Sequence, residues 1–257
     1  MNRPLSTVFF MMGITAVFIA MLAMLNVSTQ ARIQTNLKVE ESKSILYAFG
    51  ILPDGVDEPS LPGTAATSDL PWNEDHLLQT INRELSTFRL PVSEEARTWM
   101  NESMLTPVDT VTVYVRRTPE DSIRAFGFYL RGKGLWGTIR AFMAVNADFS
   151  RSVGIDFTDQ VETPGLGARI TEQEFKSYFR NLNIFTVCRS SEGGLKMVRN
   201  KETPNTVEAT DELQAVTGAT LTSRGVLNML LSDLKFYYRL IRSNRERLSY
   251  RGEHNND

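Results

Sequence analysis

The chain has 257 residues, of which 42% are apolar and 23% are charged, proportions that are ordinary for a folded protein and argue against global disorder. Its 28 basic and 30 acidic residues give a formal net charge of −2, so the overall charge does not favour nucleic acid as a partner. The single cysteine, Cys188, excludes an intramolecular disulfide and a thiolate-held iron–sulfur cluster. With only two histidines as well, we expect no metal site and no Ser/His/Asp triad.

The amino-terminal segment is long and apolar. Residues 4–31 contain no charged side chain, and the stretch VFFMMGITAVFIAMLAMLNV at residues 8–27 would span a bilayer core of about 30 Å as a helix. A cleaved signal peptide is the main alternative, but its apolar region is usually shorter, about 7 to 15 residues, and ends at a small-residue cleavage site. We therefore predict an uncleaved membrane anchor over residues 1–31, with a transmembrane helix at about 8–27. The flanking charges, Arg3 on one side and Arg32 with Lys38 on the other, leave its orientation open.

The next segment, residues 32–106, is predicted to be a helical and looped region. Residues 32–50 can continue the first helix, and the Pro-, Gly- and Asp-rich residues 51–71 are typical of a loop. Residues 73–104 are acidic and are predicted to be helical.

The main domain is predicted over residues 107–257. Alternating valines predict a strand at 110–117, and the segments at 123–130, 137–145 and 152–159, which follow at close spacing with Gly-rich or Asp-rich turns, predict three more. Residues 194–200 could supply a further strand. Residues 171–181 open with Thr171-x-x-Glu174, the pattern of a capping box, and predict a helix. From Ser223 onward, leucines recur at helical spacing. The order favours an α+β fold with a largely antiparallel sheet flanked by helices.

Three segments suggest a ligand site. GKGLWGT at residues 132–138 combines glycines with a Leu-Trp pair, and ETPGLGARI at 162–170 contains a Pro-Gly turn. TGATLTSRGV at 217–226 places three threonines just before a helix, where unpaired N–H groups favour phosphate. Each has an ordinary structural alternative: a tight turn, a common Pro-Gly turn, and a helix N-cap supplied by Thr222 or Ser223.

Together these segments resemble the FMN-binding domain family. TGAT is similar to the family's flavinylation motif, in which the last threonine carries FMN through a phosphodiester bond, while GLWGT and ETPGLG are similar to its other flavin-site segments. The resemblance implies that Thr220 is the covalent attachment point and that no residue of this chain is catalytic on its own. The other implied cofactor-binding residues are Thr217, Gly218, Ala219, Thr222, Leu135, Trp136, Glu162, Thr163, Gly165 and Leu166.

The resemblance further implies a protein that relays electrons within a sodium-translocating NADH:quinone oxidoreductase. It would lie in the bacterial inner membrane as a single-pass protein with its flavin domain on the periplasmic side. Its partners would be other subunits of the complex and a flavin transferase that attaches the FMN. Two alternatives remain: the corresponding subunit of the related Rnf ferredoxin:NAD oxidoreductase, and a membrane scaffold subunit that has lost the flavin.

Two further observations concern partners. The family usually has an aspartate three residues before the TGAT unit, whereas this chain has Gln214, which bears on recognition by the transferase. No Gly-x-Gly-x-x-Gly stands between a strand and a helix, so we expect NADH to bind a different subunit.

Overall fold

The computed structural model describes residues 3–51, 74–102, 109–189, 194–199 and 211–249. The described helices and strands, in chain order, are α1 (Arg3–Ala48), α2 (Glu74–Glu84), β1 (Leu85–Pro91), α3 (Glu94–Glu102), β2 (Thr110–Arg117), β3 (Ile123–Lys133), β4 (Thr138–Asn146), β5 (Ser152–Asp159), a 3-10 helix (Gly167–Thr171), α4 (Gln173–Ser177), α5 (Phe185–Arg189), β6 (Lys196–Val198), β7 (Glu212–Gln214), α6 (Thr220–Ser243) and α7 (Arg245–Ser249). The predicted loop at 51–71 lies almost wholly outside these ranges.

Helix α1 contains the apolar amino-terminal segment. Among the described residues it is the one helix long and apolar enough to cross a membrane. Its apolar side chains are exposed, as with Phe9 at 69% and Leu22 at 65%. The helix continues through residue 48, which confirms the predicted continuation beyond the apolar stretch. The chain divides into two compact units, Met1–Glu41 and Ser42–Asp257, and the boundaries predicted at residues 31 and 106 stay predictions.

The last turns of α1 form part of the core of the second unit. Leu46, Ala48 and Phe49 are buried, and the Phe49 ring lies 5.9 Å from that of Phe142 on β4. The approach to β5 is close, because a Cβ atom at Gly154 would lie 2.9 Å from the Ala48 carbonyl oxygen. Residues 42–51 are therefore structural members of this unit.

The same turns also make polar contacts within the second unit. The hydroxyl of Tyr47 accepts a hydrogen bond from the side chain of Gln173, and the Lys176 ammonium lies 4.6 Å from the centre of the Tyr47 ring. Lys176 is itself buried and pairs with Asp156 at 2.9 Å. Ring, amide and ion pair together fix the end of α1 beside α4.

The main sheet has five antiparallel strands in the order β1-β2-β3-β4-β5. Side chains alternate between its two faces, so the valines at 111, 113 and 115 all lie in the core. The four strands predicted between residues 110 and 159 are confirmed, and with the flanking helices the α+β class is confirmed.

The helical prediction for residues 73–104 is wrong in its middle. Residues 85–91 form strand β1, which pairs with β2 along its whole length. Only Leu85 and Leu90 of this edge strand are buried, so its sequence lacks a clear period of two. Pro91 is tolerated because it lies at the end of an edge strand.

The predicted helix at 171–181 is much shorter than expected. Helix α4 covers only Gln173–Ser177, and its N-cap, Glu172, makes no side-chain hydrogen bond that caps the helix. Thr171 ends the preceding 3-10 helix, and its hydroxyl donates to the carbonyl oxygen of Ala168 at 2.9 Å. The capping box is therefore wrong, because a turn of 3-10 helix already uses the threonine.

The long carboxyl-terminal helix is confirmed as α6, which packs against β3 with a buried stripe that includes Val226, Leu230 and Leu234. The predicted strand at 194–200 is β6, which pairs in parallel with β7.

Two side chains of α6 complete the hydrogen bonding of β3. The β2–β3 pairing ends at Gly127, and beyond it the backbone N–H of Arg131 donates to the Asp233 carboxylate at 2.8 Å. The hydroxyl of Tyr237 donates to the Tyr129 carbonyl oxygen, also at 2.8 Å. Asp233 and Tyr237 are buried and lie one helical turn apart.

Candidate functional site

Glu162 links the three segments predicted to form the site through hydrogen bonds of its carboxylate. It follows β5 and is buried, with 5% of its surface exposed. One carboxylate oxygen, Oε1, accepts a hydrogen bond from the backbone N–H of Trp136 at 3.0 Å, and Oε2 accepts one from the Thr222 hydroxyl at 2.5 Å. A single carboxylate thus joins the β3–β4 turn, the loop after β5 and the first turn of α6.

The β3–β4 turn presents two apolar side chains to solvent. The backbone N–H of Gly134 donates to the Gly137 carbonyl oxygen at 2.7 Å and closes a tight turn. Leu135 and Trp136 project from it with 48% and 69% of their surfaces exposed. The indole Nε1–H of Trp136 donates to the Thr163 hydroxyl at 3.1 Å, which fixes the ring beside the loop after β5.

The loop after β5 is held by its own backbone. The carbonyl oxygen of Thr163 accepts hydrogen bonds from the N–H groups of Leu166 and Ala168, both at 3.1 Å. Gly165 has φ +74°, a backbone conformation that residues with a Cβ atom rarely adopt. A Cβ atom added at this position would have no other atom within 4 Å. Leu166 is exposed, and its Cδ2 would lie 3.1 Å from a Cβ atom at Gly218.

The TGAT motif forms the entry to α6. Gly218 has φ +78°, Ala219 is the N-cap, and Thr220 is the first helical residue, with its side chain exposed. No side chain caps the helix, so the structural alternative in which Thr222 or Ser223 supplies the N-cap does not hold. Both are buried inside the first turn, where the Ser223 hydroxyl accepts from the Val216 N–H at 3.0 Å.

Close packing at glycines brings these elements together. A Cβ atom at Gly225 on α6 would overlap the Lys133 carbonyl oxygen, and one at Gly167 would lie 2.7 Å from the Thr222 hydroxyl. Neither glycine is among the residues predicted from the sequence. Gly225 carries a signal, because glycine inside a helix costs about 1 kcal/mol relative to alanine and so suggests a packing reason.

The Glu162 carboxylate is stabilised in its ionised form. Burial by itself would raise its pKa, but hydrogen bonds from the Thr222 hydroxyl and from the backbone N–H groups of Trp136, Leu135 and Gly137 lower the pKa below its usual value. The site therefore contains a fixed negative charge at neutral pH. Within the ranges that the structure describes, no group of three or more His, Cys, Asp or Glu side chains could hold a metal ion.

Comparison with known proteins identifies the domain. Residues 134–235 match the model of the FMN-binding domain family, and this range contains the β3–β4 turn, Glu162 and the TGAT motif. The resemblance to that family is thereby confirmed for residues 134–235.

The chain is similar to the C subunit of Na(+)-translocating NADH-quinone reductases. It is 25% identical over 233 residues to that protein from Pseudomonas aeruginosa, an alignment that covers 84% of this chain and 85% of the relative. It is 32% identical over 133 residues to the one from Chlamydia pneumoniae, covering 47% of this chain and 41% of the relative. These likenesses support a flavoprotein subunit of such a reductase.

The fold is shared with two solved structures of the same C subunit. The crystal structure from Parabacteroides distasonis has a TM-score of 0.56 at 20% identity, covering 82% of this chain and 96% of that one. The crystal structure from Shewanella oneidensis also has a TM-score of 0.56, at 18% identity, covering 80% of this chain and 99% of that one.

Proposed function

We propose that the chain is a membrane-anchored protein that carries FMN covalently on Thr220 and relays electrons within a sodium-translocating NADH-quinone reductase. The observation that carries the proposal is the contrast between neighbouring hydroxyl groups at the start of α6. Thr222 and Ser223 are buried and already hydrogen bonded, whereas Thr220 is exposed. Thr220 is thus the accessible hydroxyl of the first helical turn, where the family motif places the attachment.

The entry to α6 is suited to a phosphate group. A phosphate esterified to Thr220 would lie next to the uncapped N-terminus of a 24-residue helix, whose unpaired N–H groups and dipole favour negative charge. Gly218 supports this arrangement, because its positive φ brings the chain into the helix without a side chain over the approach.

The surface around Thr220 is suited to a flat aromatic ring. Trp136, Leu135, Leu166 and Leu221 are all substantially exposed, although apolar side chains of this size are usually buried. The flavin would supply one- and two-electron redox chemistry, while the chain orients the ring and limits its contact with water. Glu162 would act as a positioning residue, since it fixes both the Trp136 turn and the first turn of α6.

This function requires partners that the chain itself does not contain. Other subunits would donate electrons to this chain and accept them from it through protein contact. A flavin transferase would attach the FMN, because a threonine hydroxyl usually needs an activating base and the segment TGATLTSRGV contains no histidine, cysteine or carboxylate. Helix α1 would anchor the chain in the inner membrane, with the flavin domain on the periplasmic side. Alkaline phosphatase fused after residue 257 should then be active in cells, and an inactive, stable fusion would contradict this topology.

The covalent attachment is tested by substitution of Thr220 in cells that contain the transferase. After denaturing electrophoresis we expect flavin fluorescence on the wild-type band and on Thr220→Ser, which keeps a hydroxyl, but none on Thr220→Ala. Thr222→Ser is the matched control, because it keeps the bond to Glu162 and should stay fluorescent. The purified wild-type protein should be bleached by dithionite and not by NADH.

Each arm of this experiment can fail separately. Fluorescence that survives in Thr220→Ala would overturn the attachment site. A wild-type protein without fluorescence, in cells whose transferase modifies other proteins, would favour the scaffold alternative. Rapid, saturable bleaching by NADH alone would make the chain a dehydrogenase instead of an electron relay.

A further inference from the structure

A cavity lies at the opposite end of the sheet from the candidate flavin site. It has a volume of about 280 Å³ and lies between the β4–β5 turn and the carboxyl-terminal half of α6. The nine residues of β4 separate that turn from the β3–β4 turn by roughly 26 Å, at about 3.3 Å per residue. The cavity is therefore too distant to form part of the site around Thr220.

The walls of this cavity are aromatic and aliphatic. Phe149 packs against Phe126 with ring centres 5.8 Å apart, and edge-to-face against Tyr238 at 5.5 Å. Ala147 and Ile241 complete the apolar lining. Phe149 is held at φ +56°, an unfavourable backbone conformation for a bulky residue, and its side chain is buried.

Three guanidinium groups line the same cavity. Arg189 donates to the Asp148 carbonyl oxygen at 3.0 Å, and Arg242 donates to the Tyr238 hydroxyl at 3.3 Å. Arg245, on α7, is the third. Across the described parts of the chain, none of the three lies within an ion-pair distance of 4.0 Å from a carboxylate.

The charge balance of the lining is positive. Asp148 is the one acidic residue among those that line the cavity, against three arginines. Its carboxylate already accepts a hydrogen bond from the Ser150 N–H at 3.0 Å. The formal charge of the lining is therefore +2, which a phosphate monoester dianion would match. Guanidinium groups are the side chains best suited to phosphate oxygens, because they donate parallel hydrogen bonds.

We propose that this cavity binds an organic phosphate monoester whose phosphate meets Arg242 and Arg245 and whose apolar body lies against Phe149 and Tyr238. A volume of about 280 Å³ is near the lower end of ligand pockets and suits a body of about one aromatic ring or a short chain. The phosphate can belong to a soluble metabolite or to the headgroup of an anionic lipid, since both present the same chemistry. Binding in this cavity does not depend on the flavin.

The test is calorimetric titration of the full chain in a neutral detergent with phenyl phosphate. Phenol has the aromatic ring without the phosphate, and inorganic phosphate lacks the ring. Each should therefore bind at least about tenfold more weakly than phenyl phosphate. Dihexanoyl phosphatidate, used below its micelle concentration, tests the lipid source. Tighter binding of the phosphatidate identifies a headgroup, and tighter binding of phenyl phosphate identifies a soluble ligand.

Variants separate the cavity from general surface charge. Arg242→Gln with Arg245→Gln should weaken phenyl phosphate binding by at least about tenfold, because two charged donors are lost. Arg239→Gln, an exposed change on the same helix outside the lining, should leave it unchanged. Ala147→Leu fills the apolar part and keeps every charge, so it should weaken phenyl phosphate but not inorganic phosphate. Unfolding temperatures verify that each variant is folded.

Several results would overturn the proposal. They are equal affinity of the double arginine variant and the wild type, equal loss in Arg239→Gln, or phenyl phosphate binding no better than inorganic phosphate. Ala147→Leu with unchanged affinity for phenyl phosphate would likewise show that the ring does not enter the cavity.

Discussion

At the scale of single residues, the candidate site depends on one carboxylate. Glu162 accepts hydrogen bonds from a hydroxyl on α6 and from backbone N–H groups of the β3–β4 turn, and it is buried while doing so. Loss of its oxygens would leave several donors without partners. Leaving a buried donor without a partner costs more free energy than the hydrogen bond itself contributes to stability.

Substitution of Glu162 should therefore have a graded effect on stability. Glu162→Ala should lower the free energy of unfolding by about 2 to 4 kcal/mol, because several buried donors lose their acceptor. Glu162→Gln keeps one acceptor oxygen and should lose about half as much. The measurement is thermal unfolding followed by circular dichroism, with the exposed Glu172→Ala as control. Losses equal to that of the control would show that Glu162 does not hold the site together.

The role of Glu162 can be predicted only in part from the sequence. Its segment and Trp136 can be predicted as site residues by resemblance to a family motif. Its bond to Thr222 joins residues that are 60 positions apart, and nothing local in the sequence signals such a contact. The same limit applies to Gly167, whose close contact with the Thr222 hydroxyl comes from a distant segment.

At the scale of elements, periodic segments are predictable from the sequence and context-dependent ones are not. Strand β2 has a clear period of two and helix α6 one of about 3.6, while β3, β4 and β5 are apolar runs that are buried through most of their length, so the burial of these elements can be predicted from their sequences. Strand β1 and helix α4 lack such a period, because tertiary contacts decide their structure. The role of Asp233 is also hidden in the sequence, since a charged residue on a helix is expected to face water.

The buried Asp233 makes the stability of the protein depend on pH. Burial raises its pKa to about 7, although hydrogen bonds from the Arg131 N–H and the Ser232 hydroxyl act in the opposite direction. In the unfolded chain its pKa is about 3.9, so between these values only the folded state holds the proton. The free energy of unfolding should therefore fall as pH rises from about 4 to about 7, by up to about 4 kcal/mol.

Asp233→Asn should remove this dependence, because an amide does not titrate and can still accept from Arg131. The measurement is the free energy of unfolding between about pH 5 and 7.5, a window above the range in which Glu162 takes up its proton. Asp159→Asn, an exposed change at the end of β5, is the matched control and should keep the slope. An unchanged slope in Asp233→Asn would contradict the assignment.

At the scale of the whole molecule, the apolar helix and the folded unit do not divide where the apolar sequence ends. The charge-free run ends at Ala31, whereas the compact second unit begins at Ser42 within the same helix. Residues 42–51 supply buried side chains, among them Leu46 and Phe49. This division cannot be predicted from the sequence, because the helix is continuous where its side chains change from exposed to buried.

Two deletions test this boundary. Removal of residues 2–31 should give a soluble, folded protein, because it takes away the exposed apolar stretch and leaves the buried side chains of residues 42–51 in place. Removal of residues 2–51 should give an unfolded or aggregated one, since loss of a core leucine or phenylalanine costs about 2 to 5 kcal/mol each. Near-ultraviolet circular dichroism and size-exclusion chromatography distinguish the two. A folded, monomeric product of the longer deletion would contradict this role for the end of α1.

The side chains that α6 contributes to β3 also bear on how the protein avoids association with itself. A strand with open N–H and C=O groups is a template on which another chain can add a strand. Asp233 and Tyr237 occupy the Arg131 N–H and the Tyr129 carbonyl oxygen where the pairing with β2 has ended. A truncation that removed this half of α6 would uncover both a core face and a strand edge. The resulting fragment should therefore form β-rich aggregates and not merely a less stable monomer.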